Sequence, residues 1–264
     1  VMNALVLTER MGSILRVTIN RADKRNALSR DTLVALKAAF EAHAGDRTLT
    51  AAVLTGAGDR AFAAGGDLHE LQGLVTAEAI EEMTLLARAA LDSVRRFPVP
   101  VVAALNGDAF GGGAELAMAC DLRLAAAHIR IAFLQGRLAI PTAWGGGIDL
   151  MRLVGTARAM ELLASSRMVP AAEAVGLGLA SAVAPADIAF DAFIMGWLEG
   201  WSHQRPQVMR AFKAQALAER LGLPRAEREA AELAGFVESW LHEDHVDAAA
   251  RAIAGMRSAP RSTG

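Results

Sequence analysis

A single cysteine, Cys120, is the only thiol in the chain, which excludes an internal disulfide and any cysteine-based metal cluster. It follows the apolar stretch Leu116-Ala117-Met118, where a lone cysteine reads as a small core residue rather than a nucleophile. The six histidines form no His-Glu-x-x-His pattern. His242 and His245, three apart beside Glu243 and Asp244, read as a solvated helix face, so no metal site is expected. Net charge is also small, −2 at pH 7 with a pI of about 6.3, which argues against a nucleic-acid or membrane-surface partner. No apolar run reaches the roughly 18 residues a membrane span needs, and no basic leader precedes an apolar core. A cytoplasmic location is expected.

What is present is a globular balance: 53% hydrophobic residues against 21% charged, over 264 residues. That length can bury a large core as one domain with a helical appendage. Residues 4–20 read as a hairpin turning at Met11-Gly12, with Val17 and Ile19 alternating against polar neighbours. Ser29 caps a helix whose Leu33, Leu36 and Phe40 share one face. A short buried strand at 51–55 is followed by a glycine-rich loop over 56–66. Thr76 caps a long helix to Phe97, and Pro98 and Pro100 reset the chain into a strand over 101–106. A loop and three glycines then open a helix at about 111–119, and short strands are predicted at 121–127 and 128–133.

From Trp144 onward the pattern is mainly helical, with one last short strand at 180–183, and after about residue 200 it is all helix. The tail from Met256 is expected to fray. Alternating strands and helices followed by helices alone predict an α/β fold, with a core over residues 1–200 and a helical region over 201–264.

Two loops can carry chemistry, and each joins a short buried strand to a helix. The first is Ala61-Phe62-Ala63-Ala64-Gly65-Gly66-Asp67-Leu68, where small residues admit a ligand close to the backbone and Asp67 can cap the next helix. The same pattern also suits a surface loop with a capped helix. The second runs from Asn106-Gly107 through Gly111-Gly112-Gly113 to Glu115. Three glycines at a helix start are costly, each weakening a helix by up to about 1 kcal/mol relative to Ala. Helix N-termini offer unpaired N–H groups and partial positive charge, which suit an anion or a developing oxyanion. The glycines equally permit close helix–strand packing, with Glu115 favouring the dipole. No Gly-Lys-Ser/Thr follows, so a phosphate loop is excluded.

These stretches resemble the enoyl-CoA hydratase/isomerase (crotonase) family. The resemblance runs from Val17-Thr18-Ile19-Asn20-Arg21 through Lys24-Arg25-Asn26-Ala27-Leu28 and Phe62-Ala63-Ala64-Gly65-Gly66-Asp67-Leu68. It continues through Asn106-Gly107 and Glu115-Leu116-Ala117-Met118-Ala119-Cys120-Asp121 to Trp144-Gly145-Gly146 and Ala171-Ala172-Glu173-Ala174-Val175-Gly176-Leu177. It implies a β-β-α superhelical core and a helical C-terminal region that forms a homotrimer, often a hexamer. The implied substrate is an acyl-CoA thioester, with no separate cofactor. By position, Gly66 and Gly112 are implied as oxyanion-hole donors and Glu115 as the first of two catalytic glutamates. Ala64 is implied against the adenine, the Lys24, Arg25 and Asn26 segment along the nucleotide, and Lys213 at a CoA phosphate. Gly65, Asp67, Gln135 and Trp144 complete the candidate substrate-binding set.

The second glutamate is missing. Counting from Phe133 places Arg137 at its position, whereas counting back from Trp144-Gly145-Gly146 places Gln135 there. No Asp or Glu occurs between Asp121 and Asp149, and Asp149 stands where the family usually has a basic residue. Three readings remain open at this point. One is hydration or isomerisation of an enoyl-CoA with Glu115 as the sole carboxylate; another is decarboxylation of a malonyl- or alkylmalonyl-CoA. The third is CoA binding with little catalysis. Met83, Leu86, Leu91, Phe110 and Trp144 are candidate pocket residues that fit plain core equally well.

Overall fold

The computed structural model describes residues 4–258, and contacts divide it after His203 into two compact units. The first unit is a spiral of strand–strand–helix turns. A hairpin of β1 (Val6–Met11) and β2 (Ile14–Ile19) leads through α1 (Arg30–His43) to β3 (Ala51–Gly56), β4 (Ala61–Ala63), the single turn α2 (Leu68–Leu71) and α3 (Ala77–Arg95). Next come β5 (Val101–Leu105), β6 (Asp108–Phe110) and α4 (Gly112–Ala119). After β7 (Leu122–Ala125) and β8 (Arg130–Ala132) follow α5 (Gly146–Val154) and α6 (Thr156–Ser165). β9 (Val169–Pro170), α7 (Ala171–Gly176), β10 (Ala182–Val183) and α8 (Phe190–Ser202) close the unit. The second unit is helical: α9 (Pro206–Arg220), α10 (Arg225–Leu241) and α11 (Glu243–Ser258).

Two sheets result, ordered β1-β2-β3-β5-β7-β10 and β4-β6-β8-β9. Each middle turn gives one parallel strand to each sheet before its helix, so β3, β5 and β7 stack in one sheet and β4, β6 and β8 in the other. Strands buried on both faces need no polar alternation, and β5 (Val-Val-Ala-Ala-Leu) is buried at every position. This is the α/β fold with a helical C-terminal part that the sequence pattern predicts, and its spiral core is the one the family resemblance implies. The predicted caps form, with Ser29 accepting from Thr32 N–H, Asp67 from His69 N–H and Thr76 from Ala79 N–H.

Two segments read as loops are strands. β4 and β6 have only three residues each, too few for a hydrophobic period to register, and they exist because they pair with each other and with β8. The sequence pattern does not separate α8 as an element of its own, and α11 runs through Ser258, past Met256 where the tail is expected to fray. The remainder of that tail lies outside the described residues. Among the described residues no helix is long and apolar enough to cross a membrane.

The three glycines that open α4 do different work. Gly111 holds a positive φ of 52°. A methyl at Gly113 would sit 2.0 Å from the Ala63 carbonyl oxygen, so only hydrogen lets α4 close on β4. Gly113→Ala is therefore expected to cost at least about 1–3 kcal/mol, the usual price of overpacking. Gly176→Ala, with open space around it, is expected to stay within about 1 kcal/mol of the parent or to gain. Urea denaturation of the two variants checks the contrast.

Candidate active site

The first loop is fixed by backbone pairing. Leu28 N–H donates to the Gly65 carbonyl at 2.8 Å and Asp67 N–H to the Leu28 carbonyl at 3.3 Å, while Ala64 N–H donates to the Arg25 carbonyl at 3.1 Å. This places the 24–28 segment alongside 64–67. In the bridge between Leu28 and Gly66 the flanking residues make the bonds, so the Gly66 N–H stays outside the ladder. Gly112 is the first residue of α4, where N–H groups have no partner within the helix. Among the described residues neither the Gly66 nor the Gly112 N–H has an acceptor. The two glycines share a neighbour: methyls built on them would lie 3.3 Å and 2.8 Å from the same indole atom, Cη2 of Trp144.

Glu115 lies one turn into α4 and is buried, 2% exposed. One carboxylate oxygen accepts the N–H groups of Trp144 and Gly146, each at 2.9 Å; the other accepts from Gln135 Nε2 at 2.9 Å. Burial pushes its carboxyl above the ordinary value, and the N–H groups of Gly146 and Trp144 and the Gln135 amide offset this only in part. Of the two candidates for the missing second acid, Gln135 is the one beside Glu115. Arg137 is exposed and donates instead to the Ser166 carbonyl at 2.7 Å. The other amide atom of Gln135, Oε1, is buried and has no partner among the described residues.

Trp144 is also held from its other end. The Arg95 guanidinium donates to its carbonyl at 3.0 Å and pairs with Asp149 at 2.8 Å and Asp92 at 2.7 Å. Burial opposes the charge on Arg95, yet the two carboxylates outweigh it and raise its pKa. The Asp149 that departs from a basic position is thus the partner of a buried arginine.

A family model described as enoyl-CoA hydratase/isomerase matches residues 9–256. The chain belongs to the enoyl-CoA hydratase/isomerase family. A short-chain-enoyl-CoA hydratase of Clostridium acetobutylicum is 36% identical over 178 residues, 67% of this chain and 68% of that one. A crotonyl-CoA hydratase of Syntrophomonas wolfei is 36% identical, with the same coverage. Among solved structures, an enoyl-CoA hydratase/carnithine racemase of Magnetospirillum magneticum superposes with a TM-score of 0.87 at 34% identity, over 95% of this chain and 93% of that one. An enoyl-CoA hydratase of Bacillus anthracis gives 0.85 at 29% identity, over 92% and 93%.

For this family member, the structure gathers Gly65, Gly66, Gly112, Glu115, Gln135 and Trp144 into one neighbourhood, with Ala64 beside Arg25. Lys24 and Arg25 are exposed at the rim of that loop. Asn26 is turned inward: its Nδ2 donates to the Ala57 and Ala61 carbonyls and its Oδ1 accepts from Arg21 N–H, so its side chain braces the loop. Asp67 caps α2 through His69 N–H and pairs with Arg21, whose hydrogen bond holds its carboxyl below the usual range. Lys213 belongs to the second unit, buried on α9. Met83 lines a cavity of about 280 Å³ with Leu71, Leu74, Arg30, Asp31 and Glu70, whereas Leu91 is plain core. Sequence reasoning missed Arg95, since a basic residue in a helix's last turn reads as a dipole partner.

Removing one partner of a buried ion pair leaves the other uncompensated and typically costs about 3–5 kcal/mol. Asp149→Ala is expected to fall at the lower end of that range, because Asp92 still faces Arg95. Thermal and urea unfolding check it.

Proposed function

We propose that the chain hydrates or isomerises an enoyl thioester of coenzyme A, stabilising the thioester enolate with the N–H groups of Gly66 and Gly112. The observation that supports this reading is that Gly66 and Gly112, whose N–H groups have no acceptor among the described residues, both pack against Trp144, whose own N–H is held by the Glu115 carboxylate that Gln135 also contacts. In hydration, ionised Glu115 takes a proton from water as the water oxygen bonds to the β-carbon. The alkene electron pair moves onto the thioester oxygen, where two fixed donors meet it without reorganising. Glu115 then returns the proton to the α-carbon. One carboxylate therefore balances the reaction, and Gln135 Oε1 supplies an acceptor for the water's second hydrogen. CoA is the substrate's own carrier, and the Lys24, Arg25 and Ala64 rim is assigned to its nucleotide.

One observation favours a second reading, decarboxylation of a malonyl-type thioester. Glu115 already accepts N–H groups on both oxygens, and its neighbour is a neutral amide rather than an acid. Cleavage of a C–C bond uses the enolate site and a proton donor but no second carboxylate.

Gly112→Pro deletes a donor outright and is expected to lower kcat by roughly 10²–10³. Circular dichroism and CoA binding serve as folding controls, and unchanged turnover in a folded variant overturns the enolate mechanism. Glu115→Gln is expected to cost roughly 10²–10⁴-fold in hydration and less in decarboxylation. The base form of Glu115 is lost as pH falls, and burial raises its carboxyl, so the acid limb of kcat/KM should have its midpoint above the ordinary glutamate range and vanish in Glu115→Gln. Product analysis with crotonyl-CoA and methylmalonyl-CoA side by side separates the two chemistries.

For assembly the proposed state is a trimer or hexamer formed through the second unit. Leu233, Phe236, Val237 and Trp240 on α10, with Phe212 on α9, leave large apolar side chains exposed. Light scattering at micromolar concentration is expected to give three or six chains, and a stable monomer removes this assignment.

A further inference from the structure

The indole of Trp144 packs against both Gly66 and Gly112, the two glycines assigned as donors. A methyl on Gly112 would come within 2.3 Å of indole Cζ3 and 2.8 Å of Cη2, so the ring rests directly on the start of α4. The same Cη2 lies 3.3 Å from a methyl on Gly66, whose other side is taken by Leu71 Cδ1 at 2.7 Å. Leu71 in turn lines the cavity shared with Leu74 and Met83. The two glycines assigned to hold the thioester oxygen therefore share one indole as a packing neighbour, and Leu71 links Gly66 to the adjoining cavity.

That ring has little freedom to swing away. The Trp144 N–H is held by Glu115 at 2.9 Å and its carbonyl by Arg95 at 3.0 Å, so the backbone that carries the ring is fastened on both sides. The following residue, Gly145, holds a φ of 92°, and a methyl there would meet Arg95 Nη2 at 2.9 Å. The side chain itself is buried, 8% exposed. Such a residue acts as a fixed wall, in contrast to a lid.

We infer that Trp144 sets the acyl specificity of this site by walling the acyl pocket beside the donors, so that it takes short-chain acyl-CoA thioesters and refuses long ones. The inference rests on the enolate-site reading above and adds the substrate class to it. Arg95 and Asp149 are positioning residues for this wall.

The test uses saturated acyl-CoAs, which bind without reacting. Titration calorimetry with free CoA and with butyryl-, hexanoyl- and decanoyl-CoA is run on the parent, Trp144→Ala and Trp144→Phe, each checked by circular dichroism. The parent is expected to gain nothing in affinity beyond butyryl-CoA. Trp144→Ala is expected to gain up to about four-fold for each methylene newly admitted to apolar surroundings. Trp144→Phe should show a smaller gain of the same sign, and it carries the test if the alanine variant fails to fold. A parent whose affinity climbs steadily to decanoyl-CoA, or folded variants with the parent's chain-length dependence, overturns the wall while leaving the enolate site standing. Failure of the parent to bind any CoA thioester overturns both.

Discussion

A carboxylate buried in an apolar interior is tolerated only when its oxygens are given donors, and Glu115 obtains them from the start of a second helix. It lies in the first turn of α4 and caps the first turn of α5, so two helix N-termini converge on one negative charge. The N–H of Gly146 belongs to the N-terminal turn of α5, which has no side-chain cap from its own N-cap residue, Gly145. Trp144 and Gln135 are fixed by the same group. The arrangement of the candidate site thus depends on satisfying one charge that the fold has taken out of water.

The far side of Trp144 repeats this logic with the sign reversed. Arg95 ends α3 as a buried cation and is made tolerable by Asp149 on α5 and Asp92 one turn earlier on its own helix. Its Nη2 donates to the Trp144 carbonyl. Helices α3, α4 and α5 are therefore locked by side chains that each complete another element's hydrogen bonding. Such networks are costly to leave half satisfied, which gives the site a single geometry.

Much of the fold was legible in the sequence because its signals are local. Ser29 and Thr76 mark helix starts, and the apolar runs at 51–55 and 101–106 mark strands buried on both faces. The second sheet was not legible, since β4 and β6 are too short for periodicity and become strands only through their neighbours. In the site, the glycine loops and Glu115 stood out because residues so costly to a helix or a core demand a reason. What Gln135 touches could not be read: two counts through a shortened segment disagreed, and only the packing of the 3₁₀ turn over Leu134–Leu138 brings Gln135 to Glu115 while Arg137 faces Ser166. The Arg95–Asp149 pair was hidden for a related reason, since residues 54 apart on two helices leave no spacing signal.

The pairing of Leu28 with the glycine loop has a consequence for how such a site can be inherited. The N–H of Gly66 is left outside that ladder, and the N–H of Gly112 is left over at a helix start, so both candidate donors are main-chain atoms. No change of codon except one to proline deletes a main-chain N–H. Mutation can therefore reach the walls, Trp144 and Gln135 among them, far more readily than it can erase the donors themselves. A lineage built on this plan keeps its electrostatic core by default and explores new substrates through the residues that surround it.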